Sequence, residues 1–135
     1  MAAVDVLLLV GRVLFGGVLA FMGLNHFMQT ESMTGYAQHK GLPAPKLSVL
    51  ASGAVLVLGG LSVVTGIAPV VGAVALAGFL VVSALTMHDF WAVPEDQAQD
   101  EMTGFLKNVA LAGGALAVAA SATAGWAYSV GITLF

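Results

Sequence analysis

Four long apolar stretches fill almost the whole chain, and the polar residues gather where those stretches end. The stretches run over about Val6–Met28, Leu47–Thr65, Val70–Met87 and Phe105–Val130. Each approaches the roughly 20 residues that an α-helix needs to cross the hydrocarbon core of a bilayer. None carries the charged face expected of a soluble helix of that length. The pattern predicts an all-α integral membrane protein with a single domain over residues 1–135. Its architecture would be an antiparallel up-down bundle of four transmembrane helices.

With four spans, both termini and the turn Gly66-Ile67-Ala68-Pro69 share one side of the membrane, and segments 29–46 and 88–104 share the other. The turn is short enough to force spans two and three into a tight hairpin, with Pro69 suited to open the third helix. The first loop predicts a short interfacial helix from Ser32 to Lys40. Ser32 would cap it, Gly41 would end it, and Pro43 and Pro45 would prevent its continuation. Met33, Tyr36 and Ala37 share one face of that helix, which would lie against the bundle or the lipid interface. A capping helix is preferred here over a substrate lid.

Helices in lipid gain little from hydrophobic burial, so small residues must mark where backbones approach. Gly113, Ala117, Ser121 and Gly125 repeat every four residues and predict a buried stripe on span four. Gly16, Ala20 and Gly23 do the same for span one, Gly53, Gly59 and Gly60 for span two, and Ala68, Gly72 and Ala75 for span three. The same stripes suit contacts between copies of the chain, as a homo-oligomer, or with a partner membrane protein.

Composition narrows the function classes. Charged residues are 8% of the chain and only four are Lys or Arg, which leaves no basic patch for nucleic acid. The absence of cysteine removes disulfides, thiolate-held iron–sulfur clusters and thiol redox catalysis. Gly59-Gly60 follows no strand and opens no helix, so no nucleotide site is expected. The acidic run Asp89, Glu95, Asp96, Asp100, Glu101 lacks the glycine and spacing of a calcium loop and reads as a solvated surface. The first stretch has no basic leader and contains Arg12, so it reads as a retained span rather than a signal peptide. Lys40, Lys46 and Lys107 flank the loop side against Arg12 alone near the termini. The balance favours a multi-pass protein of the cell membrane with cytoplasmic loops and external termini.

The remaining polar residues converge. Asn25 and His26 end span one, His88, Asp89 and Trp91 follow span three, and Lys107 and Asn108 open span four. An antiparallel bundle brings these ends to one membrane face, where His26 and His88 would approach or share a small cavity with Asp89, Trp91 and Asn108. One reading is a hydrogen-bonded belt that satisfies helix ends, with Trp91 as interfacial anchor. The other is a ligand site for a quinone headgroup, in which imidazoles, a carboxylate and an amide bind and exchange protons with the ring oxygens. A metal on His26, His88 and Asp89, or a haem between the two histidines, ranks below both. Three ligands are few for a metal, and the Ala- and Gly-rich core is narrow for a porphyrin. Arg12 is an intramembrane charge, expected to face protein and to bond Ser62, Thr65, span-two carbonyls or Asp5.

The runs Gly11-Arg12-Val13-Leu14-Phe15-Gly16-Gly17, Gly23-Leu24-Asn25-His26-Phe27, Gly41-Leu42-Pro43, His88-Asp89-Phe90-Trp91 and Phe105-Leu106-Lys107-Asn108 occur in the order and spacing of the DoxX family. Together with Met33, Tyr36, Gly59-Gly60 and Gly66, they extend the resemblance over essentially the whole chain. The resemblance implies a four-helix membrane protein. It also implies a link to thiosulfate:quinone oxidoreduction, as in DoxD-type relatives, or to membrane-associated oxidoreductase assemblies. One departure concerns span two, where many relatives carry an acidic residue about three positions before the paired glycines. Leu56 stands there in this chain, so an ion pair between that acid and Arg12 would be lost.

These observations lead to a DoxX-like membrane subunit that binds a quinone or similar redox lipid beside an electron-donating partner. A structural or adaptor bundle without catalysis is the first alternative. A small-molecule carrier is the second, weakened because no span is broken by proline at its midpoint.

Overall fold

The structure, a computed structural model, describes residues 2–131. It is all-helical over those residues, with four helices long and apolar enough to span a membrane. In chain order these are α1 (Ala3–Met28), α3 (Pro45–Thr65), α4 (Pro69–Met87) and α5 (Glu95–Ala122), with the short α2 (Thr30–His39) in the first loop. α1 packs on α3, α3 on α4, and α4 on α5, while α2 lies against the loop-side end of α3.

Small residues set these contacts. Gly16 meets Gly60 and Gly23 meets Gly53 across α1 and α3. Both pairs are seven residues apart on their helices, so one seam runs through two turns of each. A methyl group on Gly23 would lie 2.7 Å from the Gly53 carbonyl oxygen and 2.8 Å from Leu56 Cβ. α3 and α4 touch closely at their turn end, where Gly59 packs on Leu76 and Gly72 on Ser62. The Ser62 hydroxyl lies 2.7 and 2.9 Å from the Ile67 and Ala68 carbonyl oxygens and closes the turn between them. Leu19, Leu56, Val63, Leu76 and several alanines form the core between the spans.

The fourth span departs from expectation at both ends. α5 starts at Glu95, well before Phe105, because Pro94 precedes it and Glu95 and Asp96 suit the positive end of a helix dipole. The acidic run is therefore mostly the exposed first turns of α5 rather than a loop. α5 stops at Ala122, followed by Gly125 at φ 81°, a left-handed conformation that glycine adopts without steric cost. The predicted Gly113, Ala117, Ser121, Gly125 stripe is not the packing face: Gly113, Ala117 and Gly125 are exposed, and Ala112, Ala115, Ala119 and Ala122 are buried instead. Both sets have small-residue spacing, and the contact with α4 selects the second.

α2 begins two residues before Ser32, at Thr30, whose hydroxyl bonds carbonyls of the last turn of α1 instead of Ser32 capping the helix. Its end is as expected. Gly41 at φ 78° donates to the Gln38 carbonyl and Leu42 to the Ala37 carbonyl, the paired bonds of a Schellman termination.

Candidate functional site

On the terminal side, Arg12 is 1% exposed, although it sits within an otherwise apolar helix. Its Nε donates to the Val63 carbonyl at 3.1 Å and its two amino groups to those of Val64, Ala127 and Tyr128 at 2.9 to 3.3 Å. The guanidinium also lies 4.2 Å from the centre of the Trp126 ring. Among the described residues no carboxylate pairs with it, and neither Asp5 nor the Ser62 and Thr65 hydroxyls do. The charge is balanced instead by the carbonyl-rich end of α3, the negative pole of its dipole. Residues 123–131 fold back over this end, with Val130 donating to the Thr65 carbonyl at 2.9 Å. Leu56 packs at the level of Gly23, seven residues before Val63 and so roughly 10 Å along the helix from the carbonyl that Arg12 reaches. An acid at position 56 would not meet Arg12 in this arrangement.

On the loop side lies a cavity of about 680 Å³. It is bounded by all five helices: Met22 and His26 of α1, Met33 and Tyr36 of α2, Ser52 and Leu56 of α3, Phe79, Ser83 and Thr86 of α4, and Asn108 of α5, with His88 just after α4. Its rim includes the exposed residues Met22, Ala51 and Val82. Ala51 lies about 9 Å inside the start of α3 along its axis. The cavity therefore opens at a depth where these helices face lipid.

Its polar groups sit at the loop-side end. His26 Nδ1 is 2.9 Å from the carbonyl oxygen of Met22 on its own helix. A carbonyl only accepts, so Nδ1 carries the proton in this bond. The His88 ring is seated on Gly104, where a methyl group would lie 2.5 Å from Nδ1. His88 Nδ1 is buried without a hydrogen-bond partner, and the Glu101 carboxylate is 3.8 Å away. Asn108 adds an amide to the same wall.

The structure thus brings His26, His88 and Asn108 to one cavity and leaves the other sequence candidates outside its lining. Asp89 turns to Lys40, which binds it at 2.8 Å and Glu101 at 3.0 Å. Trp91 is 58% exposed and packs edge-on to Phe90 and Phe105, an aromatic anchor at the interface. Lys107 is exposed and Asn25 partly so. Among the described residues no three His, Asp or Glu side chains gather as metal ligands.

The Lys40 clamp was not visible in the linear pattern. Lys40 stands at the end of α2 with its side chain 9% exposed, and it ties that helix to the α4–α5 link and to α5. Burial lowers its pKa, but the hydrogen bonds to Asp89 and Glu101 outweigh burial and raise it above the ordinary lysine value. The Lys40 hydrogen bond in turn holds Asp89 below the ordinary carboxylate value, against the opposing effect of burial. The partners are 49 and 61 residues away in sequence, with no spacing signal to link them. Only the folding of α2 over the bundle does so.

No curated protein and no solved structure matches the chain significantly. The DoxX family profile matches residues 7–89, which include Arg12, His26, the whole of α2 to α4, His88 and Asp89. With more than half of its length matched and a bundle of four apolar spans, this multi-pass membrane protein belongs to the DoxX family.

Proposed function

We propose that the loop-side cavity binds the headgroup of a quinone or similar redox lipid, and that the protein works as a membrane subunit beside an electron-donating partner. The observation that carries this reading is the mixed wall of the cavity: apolar side chains over most of it, and His26, His88 and Asn108 at one end. A quinone ring with its alkyl tail has the same division. Its oxygens need hydrogen-bond partners whose protons can move at neutral pH, a task imidazole suits. The exposed rim residues at lipid depth supply a route from the bilayer, in which such a molecule is dissolved. Reduction of a quinone adds two electrons and two protons. The chain has no cysteine to hold a cluster, so the electrons would come from the partner.

The test is purification in mild detergent followed by lipid extraction, and titration of the full chain in nanodiscs with decylubiquinone. A co-purifying quinone, or saturable binding lost in His88→Phe, supports the reading. A chain that binds no quinone and only associates with itself or other membrane proteins would favour the adaptor alternative.

A further inference from the structure

We infer that the cavity prefers the reduced, hydroxyl-bearing form of its ligand, a hydroquinone, over the quinone, and that His26 Nε2 is the acceptor that makes the distinction. The inference rests on the headgroup reading of the cavity and adds the chemical form of the occupant. Its basis is the bond from His26 Nδ1 to the Met22 carbonyl, 2.9 Å long and internal to α1. The partner is a backbone oxygen on the same helix, so the bond is there whether or not the cavity is filled. It commits the proton of a neutral imidazole to Nδ1 and leaves Nε2, on the opposite edge of the ring, with a bare lone pair. His26 lines the cavity, and Nδ1 is turned back to the helix, so Nε2 is the nitrogen available to a ligand. A quinone carbonyl placed there would set lone pair against lone pair. A hydroquinone O–H would donate.

The other polar groups do not oppose this choice. The Asn108 amide and the Tyr36 and Ser83 hydroxyls each offer a donor and an acceptor, so they serve either form. The Ser48, Ser52 and Thr86 hydroxyls already donate to backbone carbonyls, which leaves them as acceptors. His88 Nδ1 is free of partners, with Glu101 as the nearest charged group, and Lys40 and Asp89 beyond it. Tighter binding of the reduced form raises the potential of the bound couple. A tenfold preference corresponds to about 30 mV for two electrons. The bound quinone would then be a better electron acceptor than the quinone pool, in keeping with an electron-donating partner.

The experiment uses the full chain in lipid nanodiscs, kept anaerobic at pH 8, where an imidazole is ordinarily neutral. Three probes are compared by equilibrium dialysis against empty discs: trimethyl-1,4-benzoquinone, its hydroquinone, and the dimethyl ether of that hydroquinone. One net hydrogen bond predicts that the hydroquinone binds about 2- to 10-fold more tightly than either of the others. His26→Phe should remove the preference while the three probes still bind. If that variant fails to fold, the wild-type series decides alone, because the quinone lacks the O–H donors without added bulk and the dimethyl ether lacks them while keeping the aromatic ring. A hydroquinone that binds no more tightly than the quinone overturns the inference and leaves the headgroup reading standing, as does a preference that survives in folded His26→Phe. Failure of all three probes to bind above empty discs overturns both.

Discussion

Gly16 and Gly60 meet so closely across α1 and α3 that a methyl group on Gly16 would lie 2.5 Å from the Gly60 carbonyl oxygen. The contact is backbone against backbone, so no side-chain rotation can relieve a larger residue. Gly60→Ala should therefore push α1 from α3 and cost about 1 to 3 kcal/mol by overpacking. Gly113→Ala, at a position with open space around it, should be neutral or stabilising by up to about 1 kcal/mol through helix propensity. Thermal unfolding of the two variants in the same detergent checks the contrast. Equal losses would mean that the α1–α3 seam does not set stability.

How much of this was readable in the chain divides along a physical line. The spans, the hairpin at Gly66–Pro69 and the α1–α3 glycines were legible because membrane length and close backbone approach leave direct marks on composition. The end of α5 was not. Residues 123–130 carry no charge and so read as a continuation of the span, and it is the bonds from Arg12 to Ala127 and Tyr128 and from Val130 to Thr65 that show they fold back. The four-residue stripe on α5 misled for a related reason: two faces of that helix carry small residues, and sequence periodicity does not say which one meets α4. Within the candidate site, His26, His88 and Asn108 could be grouped by depth. Asp89 could not be separated from them, since its partner Lys40 comes from a different loop.

Arg12 should fasten the C-terminal segment. Four of its N–H groups bond carbonyls, two of them in residues 127 and 128, and Trp126 lies against its guanidinium. Arg12→Met keeps a long side chain but leaves these acceptors unpaired, which should cost about 1 to 3 kcal/mol. The local readout is Trp126 fluorescence in a Trp91→Phe background. A red shift and easier quenching from the aqueous side are expected as residues 123–131 loosen. An unchanged spectrum would show that the segment is held by other contacts.

The Lys40 clamp predicts a pH profile with a break at each extreme. Asp89 has a lowered pKa in the folded chain, so its contribution is present above about 3.9, the unfolded value, and is lost as pH falls through the folded one. Lys40 has a raised pKa, so its contribution is full below about 10.4 and is lost as pH rises through the folded value. Between these limits the clamp should not vary. Lys40→Met should remove both breaks and cost about 1 to 3 kcal/mol at neutral pH, between an exposed pair and a buried one. Hydrogen exchange over residues 30–39 should also accelerate in the variant, because α2 loses its tie to Asp89 and Glu101. Identical exchange in the two proteins would show that packing on α3 alone keeps α2 in place.

The seat of His88 provides the most local test of the cavity. Gly104 carries no side chain, and the imidazole occupies that space, with a would-be methyl group 2.5 Å from Nδ1 and 2.7 Å from Cε1. Gly104→Ala must displace the ring, yet in an α-helix the alanine itself is favourable by about 1 kcal/mol. The substitution therefore separates stability from binding. Thermal stability should change little or fall by no more than the overpacking cost, about 1 to 3 kcal/mol. Binding of decylubiquinone should weaken by about 3- to 10-fold, as a hydrogen-bonding group leaves its position. His88→Phe should weaken binding to a similar degree, and combining it with Gly104→Ala should add little, because both act on one group. Full affinity in a folded Gly104→Ala protein would show that the imidazole's position against α5 does not matter to the ligand, and would remove His88 from the site.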